Sequence, residues 1–138
     1  MNYQEILENI YQEILPFAMD GKQADYIPAL AKVNPDQFGM CLNTVEGEVF
    51  SIKSSQTRFS IQSISKVFSV ALALSLKGET LWKQVGKEPS GNAFNSLFQL
   101  ELEKGFARNP FINAGAIVVA DILLSELSDP EQDFLKFV

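Results

Sequence analysis

Two residues that can perform nucleophilic chemistry together, Ser63 and Lys66, stand three positions apart in the sequence. On a helix this spacing brings both side chains to one face, so the amine can reach the hydroxyl. Apolar surroundings would favour the neutral amine, which could take the proton of Ser63. A serine that caps a helix, followed by a solvated lysine, is the plainer interpretation of so short a pattern. Ser65 would face another side of the helix, so it is not the predicted nucleophile.

The sequence contains no histidine, which removes the usual general base and the commonest metal ligand. A Ser-His-Asp triad is therefore impossible, and a nucleophilic serine must be activated by a lysine, a tyrosine or a carboxylate. The single cysteine, Cys41, cannot form an intramolecular disulfide, and no thiol cluster suggests a metal site. Seventeen acidic residues against eleven basic ones give a net charge of -6, which disfavours nucleic acid as a partner.

Asn113 and Tyr26 have two open interpretations each. Asn113 stands directly before an apolar run, so it suits the N-cap of a helix. Its amide could instead meet a polar ligand group, because Gly115 and the small alanines beside it permit close approach. Tyr26 lies in a proline-bounded loop, where a tyrosine usually packs with its hydroxyl hydrogen-bonded, although near a lysine it could relay protons. Gln62 is most simply a surface or turn residue.

The first half of the chain predicts a helix followed by a hairpin. Positions 1–20 carry an i, i+4 apolar stripe, which predicts an amphipathic helix that ends before Gly21. Positions 22–35 predict a largely extended loop with at most one helical turn. Alternating residues over 38–45 and β-forming residues over 49–53, separated by a Glu-Gly turn, predict two paired strands.

A central helix is predicted to begin at Ser63 and to end at Gly78. It is apolar almost all round, which is typical of a helix at the centre of its fold. The spacing of its apolar residues predicts a buried face made of Ile64, Val67, Phe68, Ala71, Leu72 and Leu76.

The remaining sequence predicts further helices. We expect a short helix and a turn over 79–91, a helix over 94–103, a strongly apolar helix over 114–127, and one more that begins at Asp129. Because two strands alone are marginal in water, the sheet should be incomplete in this chain. The fold class predicted is α+β, with one antiparallel hairpin and several helices.

Two features bear on where the protein works. The most apolar stretches, 67–76 and 114–124, are shorter than the roughly 20 residues that span a bilayer, so neither is predicted to be a membrane helix. The N-terminus carries Glu5, Glu8 and Glu13 instead of the basic start and apolar block of a secretory signal. We therefore expect a cytoplasmic protein.

Four ordered blocks resemble the serine-dependent glutaminase family across nearly the whole chain. They are ADYIP at 24–28 with Leu30 and Ala31; FSIQSISKVF at 59–68; PSG at 89–91 with FNS at 94–96; and NPFINAGAI at 109–117. Four blocks in the right order and spacing are far more specific than the Ser-x-x-Lys pattern within one of them.

The resemblance implies a function and a set of roles. Ser63 would be the nucleophile, Lys66 its activating partner, and Tyr26 a member of the proton-transfer group. Asn113 and Gln62, together with Ser63 and Tyr26, would bind the substrate, L-glutamine. Ser63 would attack the side-chain amide, ammonia would leave, and water would hydrolyse the glutamyl ester to glutamate, with no cofactor and no metal. Family members have a β-lactamase-like serine-hydrolase fold and form dimers or tetramers, so a homo-oligomer is expected.

The family's catalytic domain is longer than this chain. We therefore expect residues 1–138 to be the N-terminal part of a single catalytic domain whose C-terminal half is absent, together with its later substrate-binding residues and its second oxyanion-hole donor. The alternative to glutaminase activity is a truncated, inactive chain that only associates with other glutaminase chains. The nearest rival enzyme is a β-lactamase or penicillin-binding peptidase of the same Ser-x-x-Lys class. The expected cytoplasmic setting argues against it, because those enzymes meet their substrates outside the cytoplasm.

Overall fold

The computed structural model describes residues 1–18, 20–91, 93–96 and 98–138. It divides into an N-terminal unit, Met1–Ser60, and a C-terminal unit, Ile61–Val138. The described residues contain helices and one antiparallel pair of strands, as the sequence predicts. No helix in the described part of the chain is both long enough and apolar enough to cross a membrane.

The N-terminal unit is a helix packed on a hairpin. Helix α1 runs over Tyr3–Ile14, and the side chain of Asn2 caps it by accepting a hydrogen bond from the backbone N–H of Glu5 at 3.2 Å. Its apolar stripe faces the second strand, and Leu7 is buried there. This confirms the predicted amphipathic helix, which continues as a 3-10 turn over Leu15–Phe17.

Strands β1 (Gly39–Asn43) and β2 (Val49–Lys53) pair with Cys41 opposite Ser51. Gly47 occupies the connecting turn with a φ of 89°, a backbone conformation that glycine adopts without steric cost. The predicted hairpin is therefore confirmed. The loop that precedes it contains one 3-10 turn, Leu30–Lys32, which is the single helical turn that the sequence allows there.

The C-terminal unit is a cluster of helices. Helix α2 (Ser65–Lys77) packs against α4 (Asn113–Glu126) and α5 (Pro130–Phe137), while α3 (Phe98–Leu102) is one short turn of helix. Gly78 ends α2 with a φ of 55°, as predicted. The buried core of this unit comprises Val70, Leu72, Ala73, Leu81, Val85, Ala107, Ala114, Val119, Ile122 and Leu123.

Two predictions about this unit are wrong in detail. Of the predicted buried face of α2, only Leu72 is buried, whereas Ile64 and Val67 are more than half exposed. The neighbours of α2 cover Val70 and Ala73 instead, and a helix that is apolar all round has no polar side to reveal this. The short helix and turn predicted over 79–91 are present, by contrast, as a 3-10 helix over Gly78–Lys83 and a turn at Gln84. The helix predicted over 94–103 is shortened to α3, and its predicted span includes Leu97, which lies outside the described residues.

Candidate active site

Ser63 lies just outside helix α2. It is the middle residue of a 3-10 turn, Gln62–Ile64, that leads directly into the helix. The residue at the N-cap of α2 is Ile64, and no side chain caps that end, so Ser63 is not the capping serine of the plainer interpretation. Its side chain is exposed, and within the described residues its hydroxyl makes no hydrogen bond. The hydroxyl is therefore accessible to a reacting group.

The turn that carries Ser63 is held by its neighbours. Gln62 has a φ of 48°, in the left-handed region that residues with a side chain seldom occupy. The hydroxyl of Ser65 donates to the carbonyl of Gln62 at 2.8 Å, and the backbone N–H of Ser65 also points at this carbonyl. Ser65 is thus engaged in closing the turn, which agrees with its exclusion as a nucleophile.

Lys66, in the first turn of α2, has two fixed acceptors. Its Nζ donates to Oδ1 of Asn113 at 2.7 Å and to the backbone carbonyl of Phe111 at 3.1 Å. The lysine is half-buried, so it is not the solvated lysine of the plainer interpretation. These bonds join the start of α2 to the start of α4 and place the amine at a defined point between them.

Asn113 is the first residue of α4 and not its N-cap, which is Ile112. The predicted capping role is therefore wrong. The backbone N–H of Asn113 donates to the carbonyl of Phe94 at 2.8 Å, while its side-chain oxygen faces Lys66. Because a lysine amine donates, the oxygen of the amide must be the atom that faces it. Nδ2 of Asn113 makes no hydrogen bond with any described residue, so both of its hydrogens remain available to a ligand.

A tight turn before α4 positions the Phe111 carbonyl. Oδ1 of Asn109 accepts from the backbone N–H of Phe111 at 2.8 Å, and Nδ2 of Asn109 donates to the carbonyl of Glu88 at 3.2 Å. Pro110, which separates Asn109 from Phe111 in the sequence, is buried. Gly115 packs so closely on this turn that a Cβ there would lie 1.9 Å from the carbonyl oxygen of Asn109.

The remaining predicted site residues are exposed. Gln62 adjoins Ser63 in the sequence and lies on the surface of the C-terminal unit. Tyr26 belongs to the N-terminal unit, where it is 83% exposed in the loop before the hairpin. The C-terminal unit thus brings together Lys66 and Asn113, with Ser63 one turn before the lysine. The role of Tyr26 stays a prediction.

Sequence reasoning missed the carbonyl of Phe111 and the side chain of Asn109. A main-chain acceptor has no residue signature, so nothing at position 111 could reveal it. The signal for Asn109 was present, because an asparagine before a proline favours a turn in which its side chain binds the backbone two residues later.

A family profile and curated relatives both relate this chain to glutaminases. The glutaminase family profile matches residues 21–138. The chain is 54% identical over 138 residues to the glutaminase of Ralstonia nicotianae, covering 100% of this chain and 45% of the relative. It is 56% identical over 137 residues to the thermolabile glutaminase of Rhizobium etli, covering 98% of this chain and 44% of the relative. The chain thus spans less than half the length of the curated relatives it matches.

Solved structures of glutaminases also superpose on this chain. A Bacillus glutaminase crystallised in 4.3 M NaCl superposes with a TM-score of 0.77 at 33% identity, over 97% of this chain and 42% of its own. A probable glutaminase from Bacillus subtilis, complexed with 6-diazo-5-oxo-L-norleucine, superposes with a TM-score of 0.74 at 33% identity, over 99% and 40%. These likenesses confirm the predicted α+β, β-lactamase-like fold class. The chain belongs to the glutaminase family.

Proposed function

We propose that the protein to which these residues belong hydrolyses L-glutamine to L-glutamate and ammonia through an ester on Ser63. The observation that carries the proposal is the fixed amine of Lys66, held at 2.7 Å from Asn113 Oδ1 and 3.1 Å from the Phe111 carbonyl, one turn after an exposed serine. Family membership supports the substrate and the reaction class.

The two acceptors support the proposed base role of Lys66 because they orient its amine. A neutral amine has two N–H hydrogens and one lone pair. If the hydrogens point at Asn113 and Phe111, the lone pair is directed elsewhere and can take the proton of Ser63. The spacing of three residues keeps the two side chains on the same side of the turn.

The proposed reaction proceeds in two halves. Ser63 Oγ bonds to the side-chain carbonyl carbon of glutamine while its proton passes to Lys66. The tetrahedral intermediate then breaks its C–N bond, and the departing nitrogen takes that proton to leave as ammonia. Water next attacks the ester, its proton passes through Lys66 to Ser63, and the C–O bond breaks to release glutamate. Each half returns the lysine to its starting state, so no cofactor or metal is needed.

Substrate binding is assigned to the polar groups that the lysine does not use. Nδ2 of Asn113 donates to the substrate, and Gln62 and Tyr26 bind it alongside Ser63, with Tyr26 also serving proton transfer. The Bacillus subtilis neighbour offers support, because the 6-diazo-5-oxo-L-norleucine in its complex carries a diazoketone where glutamine has its side-chain amide.

The domain organisation, the cellular location and the oligomeric state are proposed from family membership. Residues 1–138 form the N-terminal part of a single catalytic domain, in a cytoplasmic enzyme that assembles as a homodimer or homotetramer. Because the chain spans 45% of the Ralstonia relative, these residues alone should hydrolyse glutamine poorly or not at all. Loss of a single oxyanion-hole donor already costs about a hundredfold to a thousandfold in rate.

The test uses the 138-residue chain and a completed protein, in which the part of the Ralstonia relative that the chain does not match is joined to it. Glutamate and ammonia release from L-glutamine are measured for both, and for Ser63→Ala and Lys66→Met in the completed protein. Ser63→Ala should lower kcat by at least about four orders of magnitude, and Lys66→Met by about two to four.

Ser75→Ala is the matched control, because Ser75 lies on α2 and its hydroxyl only donates to the Leu72 carbonyl of its own helix at 2.7 Å. It should retain full activity. Glutamine hydrolysis that survives Ser63→Ala would contradict the ester mechanism. Hydrolysis of nitrocefin, without hydrolysis of glutamine, would instead favour a β-lactamase-type enzyme.

A second candidate, association without catalysis, is favoured by the apolar surface that the C-terminal unit leaves open. Leu124 and Leu135 are 66% and 62% exposed on α4 and α5. If the 138-residue chain is inactive but binds the completed protein in light scattering, this candidate holds for the chain alone. A well-behaved monomer that does not bind would contradict it.

A further inference from the structure

We propose that Asn109 is a positioning residue for Lys66, and that it acts by fixing the backbone carbonyl of Phe111 against the amine. The inference rests on the proposed role of Lys66 as the base that activates Ser63. No hydrogen bond joins Asn109 to Lys66 among the described residues. Asn109 therefore acts through the turn that it closes.

The turn depends on the oxygen of the Asn109 side chain. This oxygen accepts from the N–H of Phe111 at 2.8 Å, two residues later, and so fixes the peptide plane before Phe111. The next peptide supplies the carbonyl that accepts from Lys66 Nζ at 3.1 Å. With the first plane held, only the two dihedrals of Phe111 can swing that carbonyl away from the amine.

The nitrogen of the same side chain anchors the turn to a second segment. Nδ2 of Asn109 donates to the carbonyl of Glu88 at 3.2 Å. That bond extends a row of backbone hydrogen bonds between the same two segments. The N–H of Gly86 donates to the carbonyl of Ala107 at 2.7 Å, and the N–H of Glu88 donates to the carbonyl of Arg108 at 2.9 Å. Asn109 thus uses both halves of its amide, the oxygen as an acceptor and the nitrogen as a donor.

The turn packs closely against α4 at the carbonyl of Asn109. The carbonyl of Asn109 lies where a Cβ of Gly115 would stand, and Gly115 is two residues after Asn113. Both acceptors of Lys66 are therefore held where the turn meets the start of α4. The turn holds the Phe111 carbonyl, and the helix holds the Asn113 amide. A shift of the turn moves the Phe111 carbonyl, whereas the Asn113 amide stays with its helix.

This geometry predicts a specific kinetic effect. Asn109→Ala removes both bonds and frees the Phe111 carbonyl, so Lys66 loses one of its two fixed acceptors. In the completed protein kcat should fall by about tenfold to a hundredfold, the usual cost of misplacing a catalytic group by about an ångström. KM for glutamine should change little, because Asn109 is not assigned any contact with the substrate.

Two variants separate positioning from a general loss of stability. Asn109→Ser restores a neutral oxygen that can accept from the N–H of Phe111, so it should recover part of the lost kcat. Asp129→Ala removes the side chain that caps α5 through the N–H of Gln132 at 3.3 Å, and it should lower stability by about 1 kcal/mol. It should leave kcat unchanged, because α5 carries no site residue.

Amide hydrogen exchange supplies a readout that does not need activity. The N–H of Phe111 should exchange at least about tenfold faster in Asn109→Ala than in the parent, and Asn109→Ser should restore part of the protection. If the completed parent hydrolyses no glutamine, the proposed function fails, while the exchange result still shows whether Asn109 holds the turn.

The inference is overturned if Asn109→Ala keeps the parental kcat, or if its loss of kcat is matched by Asp129→Ala at equal stability. It is also overturned if the exchange of the Phe111 N–H is the same in the parent and in Asn109→Ala. A selective loss of kcat, recovered in part by serine and accompanied by faster exchange at Phe111, supports it.

Discussion

Gly115→Ala should disturb both the fold and the candidate site, because position 115 has no room for a side chain. A Cβ there would lie 1.9 Å from the carbonyl oxygen of Asn109 and 2.7 Å from the Cα of Pro110. Ordinary contacts of a Cβ begin at 3.4 Å, so the turn must move away from α4 by about 1.5 Å. The atoms in the way are backbone atoms, which cannot yield as the end of a flexible side chain does.

Two opposing contributions set the magnitude. Alanine favours a helix over glycine by about 1 kcal/mol. Overpacking costs about 1–3 kcal/mol, and the upper end applies because the Asn109 side chain ties the turn at both ends. We therefore expect the free energy of unfolding to fall by about 1–2 kcal/mol. The displaced turn also carries the Phe111 carbonyl away from Lys66, which should lower kcat by about a hundredfold.

Urea unfolding followed by circular dichroism measures the first effect, and glutamate release by the completed protein measures the second. Gly21→Ala is the matched control, because a Cβ at Gly21 would meet no atom within 4 Å. Its stability should change by less than about 0.5 kcal/mol. A Gly115→Ala protein with the parental stability and the parental kcat would refute the close contact and the role given to the turn.

Two further substitutions test the charges around α2. Asn113→Asp keeps an acceptor 2.7 Å from Lys66 Nζ but adds a negative charge that favours the protonated, inactive amine. The kcat for glutamine at a fixed neutral pH should fall by at least about tenfold, and an unchanged kcat would contradict the base role of Lys66. Lys77→Met removes a partly exposed ion pair with Glu126, 2.7 Å long, between α2 and α4. Urea unfolding should show a loss of about 0–1 kcal/mol, and a loss that persists in high salt would contradict an ion-pair origin.

The sequence predicts the order and the type of most elements because their signals are local. The stripe of α1, the Glu-Gly turn of the hairpin and Gly78 after α2 each act within a few residues of their own position. The start of α5 is equally local, since Asp129 caps it and Pro130 follows. These features needed no knowledge of tertiary packing.

The buried face of α2 could not be predicted in the same way. A helix that is apolar on every side gives several equally good faces, and the choice depends on which neighbours pack on it. Here α4 and the 3-10 turn after Gly78 cover Val70 and Ala73, while Val67 is left 55% exposed. The residues of α4 lie forty or more positions away in the sequence, so no local pattern contains their part in that choice.

The position of Asn113 one residue inside α4 rules out its capping interpretation. At the N-cap its oxygen would turn back to the N–H groups of its own helix. At the first helical position it points to another element instead, and it accepts from Lys66 of α2 at 2.7 Å. The cap position falls to Ile112, whose side chain has no acceptor. The oxygen of Asn113 is thus committed to the lysine, while its nitrogen has no partner among the described residues and keeps its two hydrogens as donors.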